Sequence, residues 1–304
     1  MQKLKIKTIP FFACLVASLW LGLSQVVLGV EVLDDDGNLV SLPQTANRII
    51  SLAPSLTEII FAAGAGSKIV GVVEYSDFPL AAQEIRIVGR HDLLDLEAIL
   101  ELQPDLIVSW KTGNPIASVN RLKELGYPIY VAEPKRLQSI PIHIEKLGIL
   151  AGTMKIASEV INTFTNTLQE LENNYSHQLG VSVFYQVWDT PLITAGGNEL
   201  INDIIMLCGG QNIFADLSLM APKIDKESVL ARNPQVIIAS GMDIARPEWL
   251  DSWLEWPTLD AVANSHLYFI PPDLVQRHTP RALQGAKLMC EQIDQARSGY
   301  SAQH

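Results

Sequence analysis

Short apolar, β-branched runs alternate with helical patterns along most of this chain. Residues 48–52 (Arg-Ile-Ile-Ser-Leu) read as a strand, and 69–73, 105–108 and 129–131 read as further short buried strands. Between them, helical periodicity runs near 95–102 and 116–125. Ser55-Leu56-Thr57-Glu58 matches a capping box opening a helix that carries Ile59, Ile60 and Phe61. This alternation predicts an α/β layer structure with mostly parallel strands.

The middle of the chain is different. Ala157, Val160, Ile161, Phe164, Leu168 and Leu171 repeat with the period of one helical face. Gly152 is placed to end the preceding helix and Thr153 to cap this one, which predicts a long connecting helix over 153–177. A strand pattern resumes at 181–185. The flanking halves echo each other. Asp95-Leu96-Glu97-Ala98-Ile99-Leu100, then Pro104 and Leu106-Ile107-Val108, matches Asp225-Lys226-Glu227-Ser228-Val229-Leu230, then Pro234 and Val236-Ile237-Ile238. Each copy reads as a short helix with Asp at the N-cap, followed by a buried strand. The expected architecture is therefore two similar α/β lobes, 46–150 and 180–304, joined by one helix. A cleft between such lobes is a preferred place for a small ligand.

The N-terminus adds a compartment. Lys3, Lys5 and Lys7 precede an apolar run over 11–23 and a small-residue exit at Ser24 and Gly29, the pattern of a cleaved secretory signal peptide over 1–29. An uncleaved anchor is the alternative, since the apolar character drifts on to Gly29. Cys14 sits too early in the run for a lipobox. Loss of the leader removes three lysines and no acid, taking the formal charge from −11 to −14. That balance excludes nucleic acid as the main partner, because phosphate binding needs a basic face. The mature chain keeps only Cys208 and Cys290, an even pair that fits one disulfide or two buried thiols.

Catalytic signatures are missing. No Gly-x-Ser-x-Gly elbow, His-Glu-x-x-His, Cys-x-x-Cys or Walker sequence occurs, and Gly64-Ala65-Gly66 follows a helix and lacks the third glycine of a dinucleotide fingerprint. The six histidines are scattered, with no pair at ligand spacing. Ordinary polar histidines are the main reading and a metal site from His91, His278 and a carboxylate across the lobes the lesser one, so no resident metal or cofactor is expected and the chain does not read as an enzyme.

Four motifs together carry a resemblance. Ser-Leu-Ala-Pro-Ser-Leu-Thr-Glu at 51–58, Tyr75-Ser76-Asp77-Phe78-Pro79, the Leu-Glu-x-Ile-Leu and Pro-Asp-Leu-Ile-Val segments within 96–108, and Cys208-Gly209-Gly210-x-Asn212-Ile213-Phe214 are similar to the helical-backbone periplasmic binding proteins. These serve ABC importers of cobalamin, haem and ferric siderophores. The likeness runs over about 46–297 and is strongest to the cobalamin-binding members. It implies a monomeric carrier in the periplasm, with cobalamin as cargo and an inner-membrane permease as partner. It implies ligand contacts from Tyr75, Trp110, Asp273 and Arg277, permease docking by Glu97 and Glu227, one per lobe, and a Cys208–Cys290 disulfide. Tyrosine and tryptophan suit a corrin, whose broad apolar face packs on rings while its rim amides take hydrogen bonds.

The departures bear on the ligand. Where cobalamin-binding members set aromatic rings on the ligand, this chain has His91, Val187 and Ala221, with Trp188 next door as a replacement ring. His91 is then a candidate axial ligand to cobalt or iron. Haem or a ferric siderophore is the alternative cargo, with Arg90, Arg277 and Arg281 meeting propionates or hydroxamates. A secreted hydrolase on a two-lobe scaffold is the reading from another class.

Overall fold

The computed structural model describes residues 29–241 and 245–301. The expected leader, with Cys14 and its cleavage region up to residue 28, lies outside the described residues. No described helix is long and apolar enough to cross a membrane.

A hairpin of β1 (Val30–Leu33) and β2 (Leu39–Leu42) opens the described chain. The first lobe follows: β3 (Ile49–Ser51), α1 (Pro54–Ala62), β4 (Ile69–Val72), the small hairpin β5 (Gly89–Arg90) and β6 (Leu93–Leu94), α2 (Leu96–Glu101), β7 (Leu106–Trp110), α3 (Ile116–Glu124), β8 (Ile129–Ala132) and α4 (Ser139–Ala151). Its sheet is parallel, in the order β4-β3-β7-β8. Helix α5 (Met154–Tyr175) leads to the second lobe: β9 (Val181–Trp188), β10 (Ile193–Thr194), α6 (Leu200–Leu207), β11 (Gly210–Asn212), α7 (Lys226–Arg232), β12 (Val236–Ala239), α8 (Asp260–Ala263), β13 (Leu267–Phe269) and α9 (Ala282–Ser301). Here the order is β10-β9-β12-β13, with β11 also on β9 and only β10 antiparallel.

The strands read as continuous apolar runs because both faces of each sheet are covered. Ile49, Leu106, Val108 and Tyr130 face one core, while Ile50, Ile107, Ile129 and Val131 face a second on the other side of the first sheet. In the second sheet Val183, Tyr185, Val236 and Ile238 belong to the first core, and Phe184, Ile237 and Ala239 to a third. The first core runs without a break from one lobe to the other through Ala157, Phe164 and Leu171 of α5. A connection with that much shared apolar packing resists hinge bending.

The 130-residue repeat is realised in the backbone. Asp95 accepts a hydrogen bond from the Ala98 amide at 3.0 Å and Asp225 from the Ser228 amide at 2.7 Å, and both helices lead into a central strand, β7 or β12. Two local expectations need correction. Helix α1 begins at Pro54 with Ala53 as an N-cap that makes no side-chain bond, so Ser55 does not cap it. Alanine has no side-chain oxygen to offer the second or third helical amide, and proline, with its preset φ, suits the first helical position. Thr153 stands at the N-cap of α5, but its hydroxyl donates to the Ala63 carbonyl at 2.6 Å, and α5 has no side-chain cap. Gly152 does end α4 in the left-handed conformation (φ +68°).

Candidate ligand site between the lobes

In parallel sheets, loops that leave the carboxyl ends of the strands gather on one edge, and ligands bind there. Trp110 is the last residue of β7 and Trp188 the last of β9. The loops after β7, β8, β10, β11 and β13 surround a cavity of about 370 Å³ that reaches across both lobes and includes Trp110, Glu133, Arg136, Glu199, Met220 and His278.

Trp110 is held by its own loop. Its amide donates to Asn114 Oδ1 at 2.6 Å, and Asn114 Nδ2 donates to the carbonyls of Leu52 and His91, each at 2.8 Å. A Cβ on Gly113 would fall 1.8 Å from the Trp110 ring, so only glycine lets the indole lie over this turn. The His91 ring stands 6.0 Å from the Trp110 ring, tilted by 40°. This segment therefore builds an aromatic platform and holds His91 at its edge.

Salt bridges tie the lobes together on either side. Glu58, on α1 and only 3% exposed, receives Arg281 from the second lobe at 2.6 and 2.9 Å and Arg277 at 3.1 Å. Arg277 also reaches Asp77 at 2.6 Å and Asp273 at 3.2 Å, and the Arg281 guanidinium lies 4.1 Å from the centre of the Phe78 ring. Burial alone would push the Asp77 carboxyl up, but the Arg277 guanidinium outweighs it and holds Asp77 below the usual carboxylate range. The second tie is Arg136 to Asp203 at 2.6 Å.

Within the cavity, Glu199 caps α6 through the Leu200 amide, and His278 brings its Nε2 to 3.8 Å from Glu199 Oε2. Burial pushes the Glu199 carboxyl up to about 7 and the His278 imidazole down to about 4. The contact is thus a neutral imidazole beside a carboxyl that keeps its proton into the neutral range, not an ion pair. Their effects on stability oppose. The Glu199 contribution is fully present below pH 4.5, its unfolded value, and is lost as pH rises through about 7. The His278 contribution is present above pH 6.5 and is lost as pH falls through about 4. Between pH 4.5 and 6.5 the two slopes cancel. Urea unfolding across this range should find that Glu199→Gln gains stability with rising pH relative to wild type, by about 3 kcal/mol. His278→Ala should lose about as much as pH rises. Parallel pH profiles for the three proteins would contradict the assignment.

Of the residues expected at the ligand, Trp110 lines this cavity. Tyr75, 73% exposed and in a left-handed turn (φ +65°), follows β4 on the same edge. Trp188 is half-buried and donates its indole N–H to the Thr190 carbonyl at 3.0 Å. Asp273 and Arg277 pair with each other, and Arg277 is held by three carboxylates. Glu97 and Glu227 are exposed in the first turns of α2 and α7. Cys208 and Cys290 form the disulfide. Sequence reading missed Glu199, Glu133 and Arg136, since no local pattern marks them, and weighed His278 only as a partner of His91 and a carboxylate in a metal site across the lobes.

The family signature of periplasmic binding proteins matches residues 49–274. A vitamin B12-binding protein of Vibrio cholerae serotype O1 is 38% identical over 254 residues, 83% of this chain and 91% of that protein. Its namesake in Yersinia pestis is 34% identical over 257 residues, 84% of this chain and 90% of the relative. Among solved structures, the periplasmic vitamin B12 binding protein BtuF of Vibrio cholerae superposes with a TM-score of 0.76 at 36% identity, covering 83% of this chain and 98% of that one. The periplasmic haem binding protein HutB of Vibrio cholerae shares the fold, with a TM-score of 0.71 at 20% identity over 80% of this chain and 97% of its own. Two parallel-sheet lobes on a connecting helix, with the cavity at their carboxyl edges, agree with these matches, and the chain belongs to the periplasmic binding protein family.

Proposed function

We propose that this protein captures cobalamin or a related corrinoid between its lobes and delivers it to the permease of an ABC importer. The observation that carries the reading is the Trp110 platform, a large ring held at the mouth of an inter-lobe cavity by Gly113 and Asn114. A ring so fixed loses little entropy when a flat apolar face packs on it. The relatives named vitamin B12-binding proteins, at 32% to 38% identity, support the same ligand. Haem or a siderophore needs cations for its carboxylates or hydroxamates, and the three arginines that reading relies on are engaged. Arg90 pairs with Asp92 at 2.6 Å, and Arg277 and Arg281 are held by Glu58 and its neighbours. Corrin rim amides need no cation. The proposal includes a cleaved leader, a periplasmic monomer and no catalytic turnover of the cargo.

Delivery rests on Glu97 and Glu227, one exposed carboxylate at the matching helix start of each lobe. Such charges orient docking on a basic partner more than they hold a fold. Reversing both together, Glu97→Lys with Glu227→Lys, should abolish uptake in a transport assay with reconstituted permease while the purified variant still binds cargo. Wild-type uptake by the double variant would refute the docking role.

A further inference from the structure

We propose that His278 supplies an axial nitrogen to the cobalt of a bound corrinoid. The inference rests on the corrinoid reading and goes beyond it, because it assigns a metal-binding side chain within the cavity. His278 lines the same cavity as Trp110, with its side chain 15% exposed. Neither ring nitrogen makes a hydrogen bond among the described residues. The nearest ionisable partner, Glu199 Oε2, stands at 3.8 Å, beyond hydrogen-bond length. An imidazole in this state keeps an uncommitted lone pair at neutral pH, the form in which histidine binds metals. Glu199 lies on the Nε2 side of the ring, which leaves Nδ1 as the nitrogen for the metal. His91 has a different setting at the edge of the Trp110 ring, where packing is sufficient to account for it.

The chemistry is a ligand exchange. On an aquo-cobalt(III) centre the cobalt–water bond breaks, a cobalt–nitrogen bond forms and one water leaves. The oxidation state does not change, and no proton moves, because the imidazole is already neutral. Cyanide on the same face does not exchange readily, so a cyano-corrinoid gains nothing from His278.

The test is an absorption titration of the purified mature protein with aquocobalamin, alongside cyanocobalamin. Wild type should shift the aquocobalamin bands to those of an imidazole complex at one equivalent. It should also prefer aquocobalamin over cyanocobalamin by about tenfold or more. His278→Ala and His278→Gln should both lose the shift and bring that ratio near one, while His91→Ala keeps both. Aquocobalamin bound with an unchanged spectrum, or a shift that survives both His278 variants, overturns the inference alone. Failure to bind either cobalamin overturns the corrinoid reading and the inference with it.

Discussion

Replacing Arg281 with alanine should lower the unfolding free energy at neutral pH by about 3–5 kcal/mol, measured by urea denaturation followed through tryptophan fluorescence. Glu58 is 3% exposed, and Arg281 gives it two of its three guanidinium hydrogen bonds. Removing that partner leaves a buried carboxylate with Arg277 alone at 3.1 Å, and Arg277 is shared with Asp77 and Asp273. A buried charge that loses its partner keeps its desolvation cost, which is why breaking such a pair costs more than the pair is worth. The double substitution Glu58→Leu with Arg281→Met should recover most of the loss, since well-packed apolar side chains remove both charges at once. A double variant no more stable than Arg281→Ala would contradict this account.

Removing the disulfide should cost about as much. Cys208, at the C-terminal end of α6, and Cys290, within α9, are both fully buried in the shared core and lie 82 residues apart. Closing a loop of that length restricts the unfolded chain by about 4–5 kcal/mol in the chain-entropy model. Cys208→Ala with Cys290→Ala should therefore unfold at markedly lower urea. Thiol labelling of the denatured, unreduced mature chain should find no free cysteine. Two reactive thiols, or an unchanged midpoint in the double variant, would contradict the bridge.

Much of the fold was legible because its code is local. The helix period over 157–171, the glycine that ends α4 and the Asp-capped repeats at Asp95 and Asp225 all act within a few residues, and each stands in the structure. Where local chemistry was ambiguous, the tertiary partner decided. Glu58 fits a capping box by spacing, yet its carboxylate serves arginines more than 200 positions away. Arg277, a ligand contact by resemblance, also bonds Asp77, the third residue of the Tyr-Ser-Asp motif, across the lobes, a pairing that no local pattern marks. The Cys-Gly-Gly-x-Asn-Ile-Phe motif proves structural. Gly209 adopts φ +69° where a Cβ would meet the Tyr175 carbonyl, Asn212 bonds the Ala195 carbonyl, and Phe214 packs edge-on to Phe184. Glu199 gave no signal and His278 only that of one scattered histidine, because their chemistry comes from burial in a cavity that only the assembled lobes create.

Direct calorimetric titration with cyanocobalamin, with haemin in parallel, tests the central claim. The account predicts saturable one-to-one binding of cyanocobalamin. Trp110→Ala should weaken it by about 1–3 kcal/mol, roughly five- to more than a hundredfold, because the platform ring carries much of the apolar contact. No heat with cyanocobalamin and tight binding of haemin would contradict it.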